Sequence, residues 1–277
     1  MNTEQFIEES LKEDIGEGDF TSLSCIPPGK TDTAKLLVKE SGIIAGILVA
    51  KMVFDKVDTG LIVEEFKKDG DTVSAGEIVF TVSGKTTSIL SAERLVLNFM
   101  QRMSGIATVT RKYVDAVKGY KAIILDTRKT TPNMRFFEKM AVKTGGGQNH
   151  RFGLYDMIMI KDNHVDASGG IGKAIRSTKE FLRSTDKDLR IEIEARDISE
   201  VKEILHEGGV DRIMLDNFDI NSLTEAVQLI NGRFETEASG GITLENIRQY
   251  AETGVDYISV GALTHHIKSL DLSLKIM

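Results

Sequence analysis

The chain has 277 residues, 41% of them hydrophobic, which is enough for a sizeable core in one large domain or two. Its formal charge of -7 argues against bulk nucleic-acid or membrane-surface binding, since both need a basic field. One cysteine, Cys25, excludes an internal disulfide framework and a cysteine-based zinc cluster, and no apolar run is long enough to span a bilayer.

The N-terminus, MNTEQFIEESLKED, is polar and acidic and lacks the basic and apolar regions of a signal peptide, so a cytoplasmic enzyme is the expectation. A short helix is predicted from about Thr3 to Glu13, and KEDIGEGDFTS reads as its end and a turn. Strands TAKLLVKE and LIVEEFK follow, with a helix LVAKMVFDKV between them. KKDGDTVSAGEIVFTVSG reads as a hairpin-like strand pair punctuated by glycine. TTSILSAERLVLNFMQRMSG is a helix with an apolar stripe at Leu90, Leu97 and Met100.

From Lys121 the pattern changes. A short β-rich run ends in a polar residue, and a helical stretch follows. The runs are KAIIL, ending at Asp126 to Lys129; DMIMI, ending at Lys161; RIEIEA, with Glu194; DRIMLDN, with Asp216; RFETEASGG, with Glu237 and Ser239; and VDYISVGA, with Ser259 and Gly261. Strand–helix alternation predicts parallel βαβ units. Six strands fall short of the eight of a full barrel, so an incomplete, irregular (β/α) barrel is expected, with a doubly wound sheet as the alternative. In either fold the chemistry belongs at the C-terminal strand ends, and all six runs carry polar or glycine-rich residues there. SLDLSLKIM, at the chain end, is read as a strand that returns to the first domain.

Several of these residues point to an anion. Arg128, Lys129, Lys143, His150, Arg151 and Lys161 cluster around GGG, and cations side by side repel unless an anion gathers them. Ser239-Gly240-Gly241 and Ser259-Val260-Gly261 lie between strand and helix on the last two strands. Glycine lets a phosphate approach the backbone there, and a helix start offers N–H groups. Glu194 and Asp216 end neighbouring strands, where two carboxylates suit a Mg²⁺–phosphate complex or ribose hydroxyls. The alternatives are salt-bridge partners for the acids and a Schiff-base role for Lys161, as in barrel aldolases. A zinc site from His150 and His164 lacks ligand spacing. His206, His265 and His266 are expected at the surface.

The motifs EDIGEGDFTS, SAERLVLNFMQRMSGIATVT, DTRKTTP, EKMAVKTGGGQNHRFGLYDMIMIKDNH, IEIEA, MLDN, EASGGI and VDYISVGALTH occur in the order seen in quinolinate phosphoribosyltransferases, and the chain resembles that family over essentially its whole length. The resemblance implies an α/β protein: an N-terminal α/β sandwich over residues 1–105, to which the tail 267–277 returns, and an incomplete α/β barrel over residues 106–266. It implies a decarboxylating transfer that joins quinolinate to phosphoribosyl pyrophosphate, yielding nicotinate mononucleotide, pyrophosphate and CO₂ for NAD biosynthesis, with Mg²⁺. By motif it assigns substrate binding to Arg94, Arg128, Lys129, His150, Arg151, Lys161, Glu194 and Asp216. Lys129, Glu194 and Asp216 are the catalytic set, and the two acids reach Mg²⁺ directly or through substrate or water. Phosphate falls to Ser239, Gly240, Gly241, Ser259, Val260 and Gly261. A homodimer with Arg94 acting across the interface, or a higher oligomer, is implied as well. Two positions depart from the family pattern: Asn133, where glycine is common after the proline, and His266, where a small polar residue is usual. A non-biosynthetic relative of the same fold, associated with molybdenum transport, is the alternative within the resemblance.

Overall fold

The computed structural model describes residues 3–277. In chain order its elements are α1 (Thr3–Ile15), α2 (Phe20–Cys25), β1 (Thr31–Val38), β2 (Gly42–Ile43), α3 (Ile47–Val57), β3 (Ile62–Glu65), β4 (Thr72–Val73), β5 (Ile78–Lys85), α4 (Thr86–Ala116), β6 (Ile123–Leu125), α5 (Arg135–Thr144), β7 (Ile158–Ile160), α6 (Asp162–Ser168), α7 (Ile171–Thr185), β8 (Ile191–Ala195), α8 (Ile198–Glu207), β9 (Arg212–Asp216), α9 (Ile220–Ile230), β10 (Glu235–Ser239), α10 (Ile247–Glu252), β11 (Tyr257–Ser259), α11 (Ala262–His265) and β12 (Leu272–Ile276). They form two compact units. The first holds the chain up to Arg111, Thr130–Gly146 and Leu263–Met277; the second holds Lys112–Lys129 and Gly147–Ala262. Among the described residues no helix is long and apolar enough to cross a membrane.

The first unit is built on an antiparallel sheet of order β12-β1-β5-β3. In β1 every second residue, Ala34, Leu36 and Val38, is buried, the signature of a strand with one covered face. Phe54 of α3 packs edge-on against Phe80 of β5, with ring centroids 5.9 Å apart. The chain end does return as a strand: β12 lies antiparallel to β1, Leu272 opposite Val38. The stretch from Lys67 to Gly84 is not a hairpin. β4 pairs with β2, and β5 pairs with β1 and β3. A two-residue β4 offers few ladder bonds, whereas the eight residues of β5 run along the eight of β1.

Two helices differ from expectation. α4 continues through 31 residues, so the boundary expected near residue 105 falls inside it. Its buried stripe is Ile89, Ala92, Val96, Met100 and Met103, with Leu97 beside it; Leu90 is only half-buried. α2 occupies what reads in sequence as a turn, because Asp19 accepts the Ser22 amide at 3.0 Å and caps it. Asn133, before α5, has φ 64°, a left-handed conformation that asparagine tolerates in place of glycine.

The second unit contains all six expected strands, parallel, in the order β6-β11-β10-β9-β8-β7. Helices α6 to α10 pack one against the next. No strand pairing closes β7 onto β6 among the described residues; Gln148 bridges the free side of β6 at Leu125 instead. The barrel is therefore incomplete. Parallel register brings the C-terminal ends of β6 and β8 to β11 level, with Ser239 beside Asp216 and Ser259 beside Leu125.

Candidate active site

A period of two along each strand sends Glu192 and Glu194 to the same face of β8, Arg212, Met214 and Asp216 to one face of β9, and Glu237 and Ser239 to one face of β10. These residues fill the barrel in layers. The upper layer borders a cavity of about 460 Å³ at the C-terminal strand ends, lined wholly by the second unit. Arg128, Lys129, Arg151 and Lys161 line it, as do Glu194, Asp216, Ser239 and Ser259.

The cavity is arranged for negative charge. Burial and then the charge of Arg128 lower the pKa of Arg151, so two guanidinium groups stand close enough to repel. Lys161, 43% exposed, ion-pairs with Glu194 at 2.9 Å. That pairing opposes a Schiff-base role, which needs a desolvated, uncharged amine. Asp216 accepts the Asn217 side-chain amide at 2.6 Å. The Asn217 backbone amide donates to Ser239 at 2.9 Å, tying the β9 and β10 loops together.

A network of buried charge runs from the cavity lining, at His150 and Glu237, down to Glu192 and Arg212 one step below. His150 Nε2 is 2.9 Å from Glu192 Oε2 and 3.5 Å from Glu237 Oε2. Arg212 Nη1 donates to Glu237 at 2.7 Å, its Nε and Nη2 donate to Glu235 at 3.0 Å, and its guanidinium lies 3.8 Å from the Tyr257 ring centroid. Burial opposes a charge on His150 while the two carboxylates favour it and raise its pKa, and the contest is decided at the other ring nitrogen. Against a second hydrogen stands the Arg151 amide, which donates to Nδ1 at 2.6 Å. An imidazolium nitrogen cannot accept, so in this geometry the ring carries its hydrogen on Nε2. His150, Glu192 and Glu237 have ligand atoms within 4.8 Å of one another. Arg212 already supplies a positive charge to Glu237, which is what a cation there would do.

The structure thus brings together Arg128, Lys129, His150, Arg151, Lys161, Glu194, Asp216, Ser239 and Ser259. Arg94 and Lys143 belong to the first unit, on α4 and α5, and both are exposed. Gly240, Gly241, Val260 and Gly261 follow the strand ends without lining the cavity. No helix starts at Gly241: α10 begins at Ile247, after a turn in which Asn246 binds the Thr243 amide and the Gly241 carbonyl. Phosphate there would meet loop amides rather than a helix terminus. His164 Nδ1 accepts the Lys161 amide at 2.9 Å, which uses it as a helix cap rather than a zinc partner of His150. His206, His265 and His266 are exposed, the last two with rings 4.3 Å apart. Sequence reasoning missed Glu192 and Arg212 and left Glu237 without a role. The available signal was acid at every second position of β8 and β10, where buried parallel strands ordinarily read as apolar runs.

Comparison with known proteins agrees along the chain. Residues 19–104 match the family model of the quinolinate phosphoribosyl transferase N-terminal domain, and residues 106–275 that of the C-terminal domain. The chain is similar to a Nicotiana tabacum protein named quinolinate phosphoribosyltransferase (decarboxylating) 2a, mitochondrial, at 50% identity over 282 residues, covering 96% of this chain and 80% of that one. It is 41% identical over 276 residues to a probable nicotinate-nucleotide pyrophosphorylase (carboxylating) of Bacillus subtilis, covering 100% of this chain and 94% of the other. The crystal structure of NadC from Streptococcus pyogenes superposes with a TM-score of 0.93 at 38% identity, over 99% of this chain and 96% of that one.

Proposed function

The chain belongs to the quinolinate phosphoribosyltransferase family, and from that premise we infer that the cavity of the second unit is where quinolinate meets phosphoribosyl pyrophosphate. The reaction is that of the carboxylating nicotinate-nucleotide pyrophosphorylases of NAD biosynthesis, run towards nicotinate mononucleotide, pyrophosphate and CO₂. The observation that carries the site assignment is the set of four cations, Arg128, Lys129, Arg151 and Lys161, lining one cavity, with two guanidinium groups near enough for one to lower the pKa of the other. Quinolinate is a dianion, and its co-substrate carries several further negative charges. Arginine forks match carboxylates in a bidentate way.

The chemistry then divides. Pyrophosphate leaves the anomeric carbon, which takes on oxocarbenium character, and the pyridine nitrogen attacks that carbon. The nitrogen becomes cationic, and its charge stabilises the electron pair left on the adjacent ring carbon when the carboxylate departs as CO₂; that pair then takes up a proton. Arg128, Arg151 and Lys161 neutralise and orient the dianion. Lys129 supports the charge leaving with pyrophosphate. Ser239, Ser259 and the loop amides at Gly240, Gly241, Val260 and Gly261 receive phosphate. No covalent nucleophile is needed, since positioning and fixed charge do the work.

Mg²⁺ is part of the proposal. Glu194 and Asp216 present hard oxygen donors at adjacent strand ends, and two carboxylates suit an ion that keeps its remaining ligands as water and phosphate oxygen. When bound it would neutralise the departing pyrophosphate. A dimer in which Arg94 reaches the partner's barrel belongs to the same reading, as does a cytoplasmic location. The test is incubation of the purified chain with quinolinate, phosphoribosyl pyrophosphate and Mg²⁺. Nicotinate mononucleotide and CO₂ should appear in equal amounts; folded protein that binds a dicarboxylate and releases neither would overturn the reading.

A further inference from the structure

Glu192 and Glu237 are fully buried, and nothing in the reaction above uses them. One oxygen of each, Oε1, is buried with no hydrogen-bond partner. Two buried carboxylates at a cavity for anions, Glu237 lining it and Glu192 below, work against its ligand and against the fold, so their presence calls for a reason. Their geometry supplies one. Both direct Oε2 at His150 Nε2, and the other ring nitrogen accepts the Arg151 amide. Asp126 Oδ1 holds the His150 amide at 2.9 Å. The chain from Asn149 to Met157 is neither helix nor strand, so no ladder of backbone bonds sets the place of Arg151. What sets it is the ring, together with the Met157 carbonyl, which Arg151 Nη1 meets at 3.3 Å.

We propose that Glu192 and Glu237 are positioning residues for Arg151, acting through the His150 ring. This rests on reading the cavity as the quinolinate site. A carboxylate only accepts hydrogen bonds, so two of them force the ring hydrogen onto Nε2 and leave Nδ1 as an acceptor. Only that tautomer can take the Arg151 amide. A glutamine in place of Glu192 can donate as well as accept, which releases the opposite tautomer and with it the Arg151 backbone. Arg212 has a matching part: paired to Glu237, it keeps the layer from presenting two uncompensated negative charges to the dianion above. His150 is therefore a strut whose two nitrogens are both turned to the protein.

The experiment is a double-mutant cycle on Glu192→Gln and His150→Ala, with Arg151→Ala as reference, read by steady-state kinetics and by binding of phthalate, a dicarboxylate without the ring nitrogen. Glu192→Gln should raise the quinolinate KM and the phthalate inhibition constant about ten- to a hundredfold, the cost of misplacing a binding group by a fraction of an ångström to an ångström. The KM for phosphoribosyl pyrophosphate should stay within about twofold, and the double variant should be no worse than His150→Ala alone. Nitrogen-15 NMR of the ring should show Nε2–H in the parent protein and a shift towards Nδ1–H in Glu192→Gln. Additive losses, an equal rise in both KM values, or a parent ring protonated at Nδ1 would overturn the proposal. If Arg151→Ala and His150→Ala both leave phthalate binding intact, the quinolinate-site reading itself fails, which is a different result. Should Glu192→Gln not fold, Glu237→Gln goes through the same cycle.

Discussion

Adding one methyl group at Gly240 tests how the β9 and β10 loops are joined. Gly240 has φ +96°, where a side chain is strained at a cost of roughly 1–3 kcal/mol. Its new Cβ would overlap the Asn217 carboxamide oxygen, lie 2.7 Å from Asn217 Cγ and 2.9 Å from the Asn217 backbone nitrogen. The carboxamide can rotate away, but the backbone nitrogen is held by its bond to Ser239. Forcing atoms into such a packed spot costs about 1–3 kcal/mol more, so Gly240→Ala should lose about 2–6 kcal/mol in all. Gly241 is the control. It has φ +60° with no atom within 4 Å of a Cβ, so Gly241→Ala carries only the left-handed term of about 1–2 kcal/mol. Thermal unfolding of the two variants should separate them by several degrees, at roughly 2–4 °C per kcal/mol. Because Asn217 also holds Asp216, Gly240→Ala should cut turnover at subsaturating phosphoribosyl pyrophosphate at least about tenfold, the equivalent of about 1.4 kcal/mol. Equal melting temperatures for the two variants would refute the reasoning, since the crowding at Asn217 is what distinguishes them.

Three further outcomes follow from the site. Lys129→Ala and Arg151→Ala should keep a native circular dichroism spectrum yet lose about 2–5 kcal/mol of transition-state binding, roughly 30- to several-thousand-fold in kcat/KM; near-normal turnover in both would remove them from the site. Arg212→Met strands Glu237 in the barrel without its cation and should lower stability by about 3–5 kcal/mol, read as an earlier urea midpoint; an unmoved midpoint would mean that Glu237 needs no such partner. Arg94→Ala and Lys129→Ala, each inactive alone, should recover about a quarter of parent activity when refolded together, because a two-fold dimer with shared sites leaves one intact site in each hybrid. Activity that stays at the level of the separate variants, with hybrids demonstrated, would place Arg94 in its own chain's site.

The six parallel strands were legible because each is a local event: a β-rich run, a polar end and a helix after it. The motifs at those ends were legible too, since Lys129, Lys161, Glu194 and Asp216 stand where any parallel barrel presents its chemistry. The return of residues 269–277 to β1 could be anticipated from their alternation. Partner choice could not. Nothing local in residues 67–84 says that β4 will leave β5 for β2, because a strand's pattern reports which face is covered and not which neighbour offers the longer ladder. The buried layer is the same case on a larger scale. His150 comes from a loop, Glu192 from β8, Arg212 from β9 and Glu237 from β10, and only strand register sets Glu192 level with Arg212 and Glu237 one step above them, level with Met214. Chain periodicity determined which residues point inward; which inward residues meet was decided by the order and register of the strands in the curled sheet, where distance across the barrel rather than separation along the chain governs hydrogen bonding and charge.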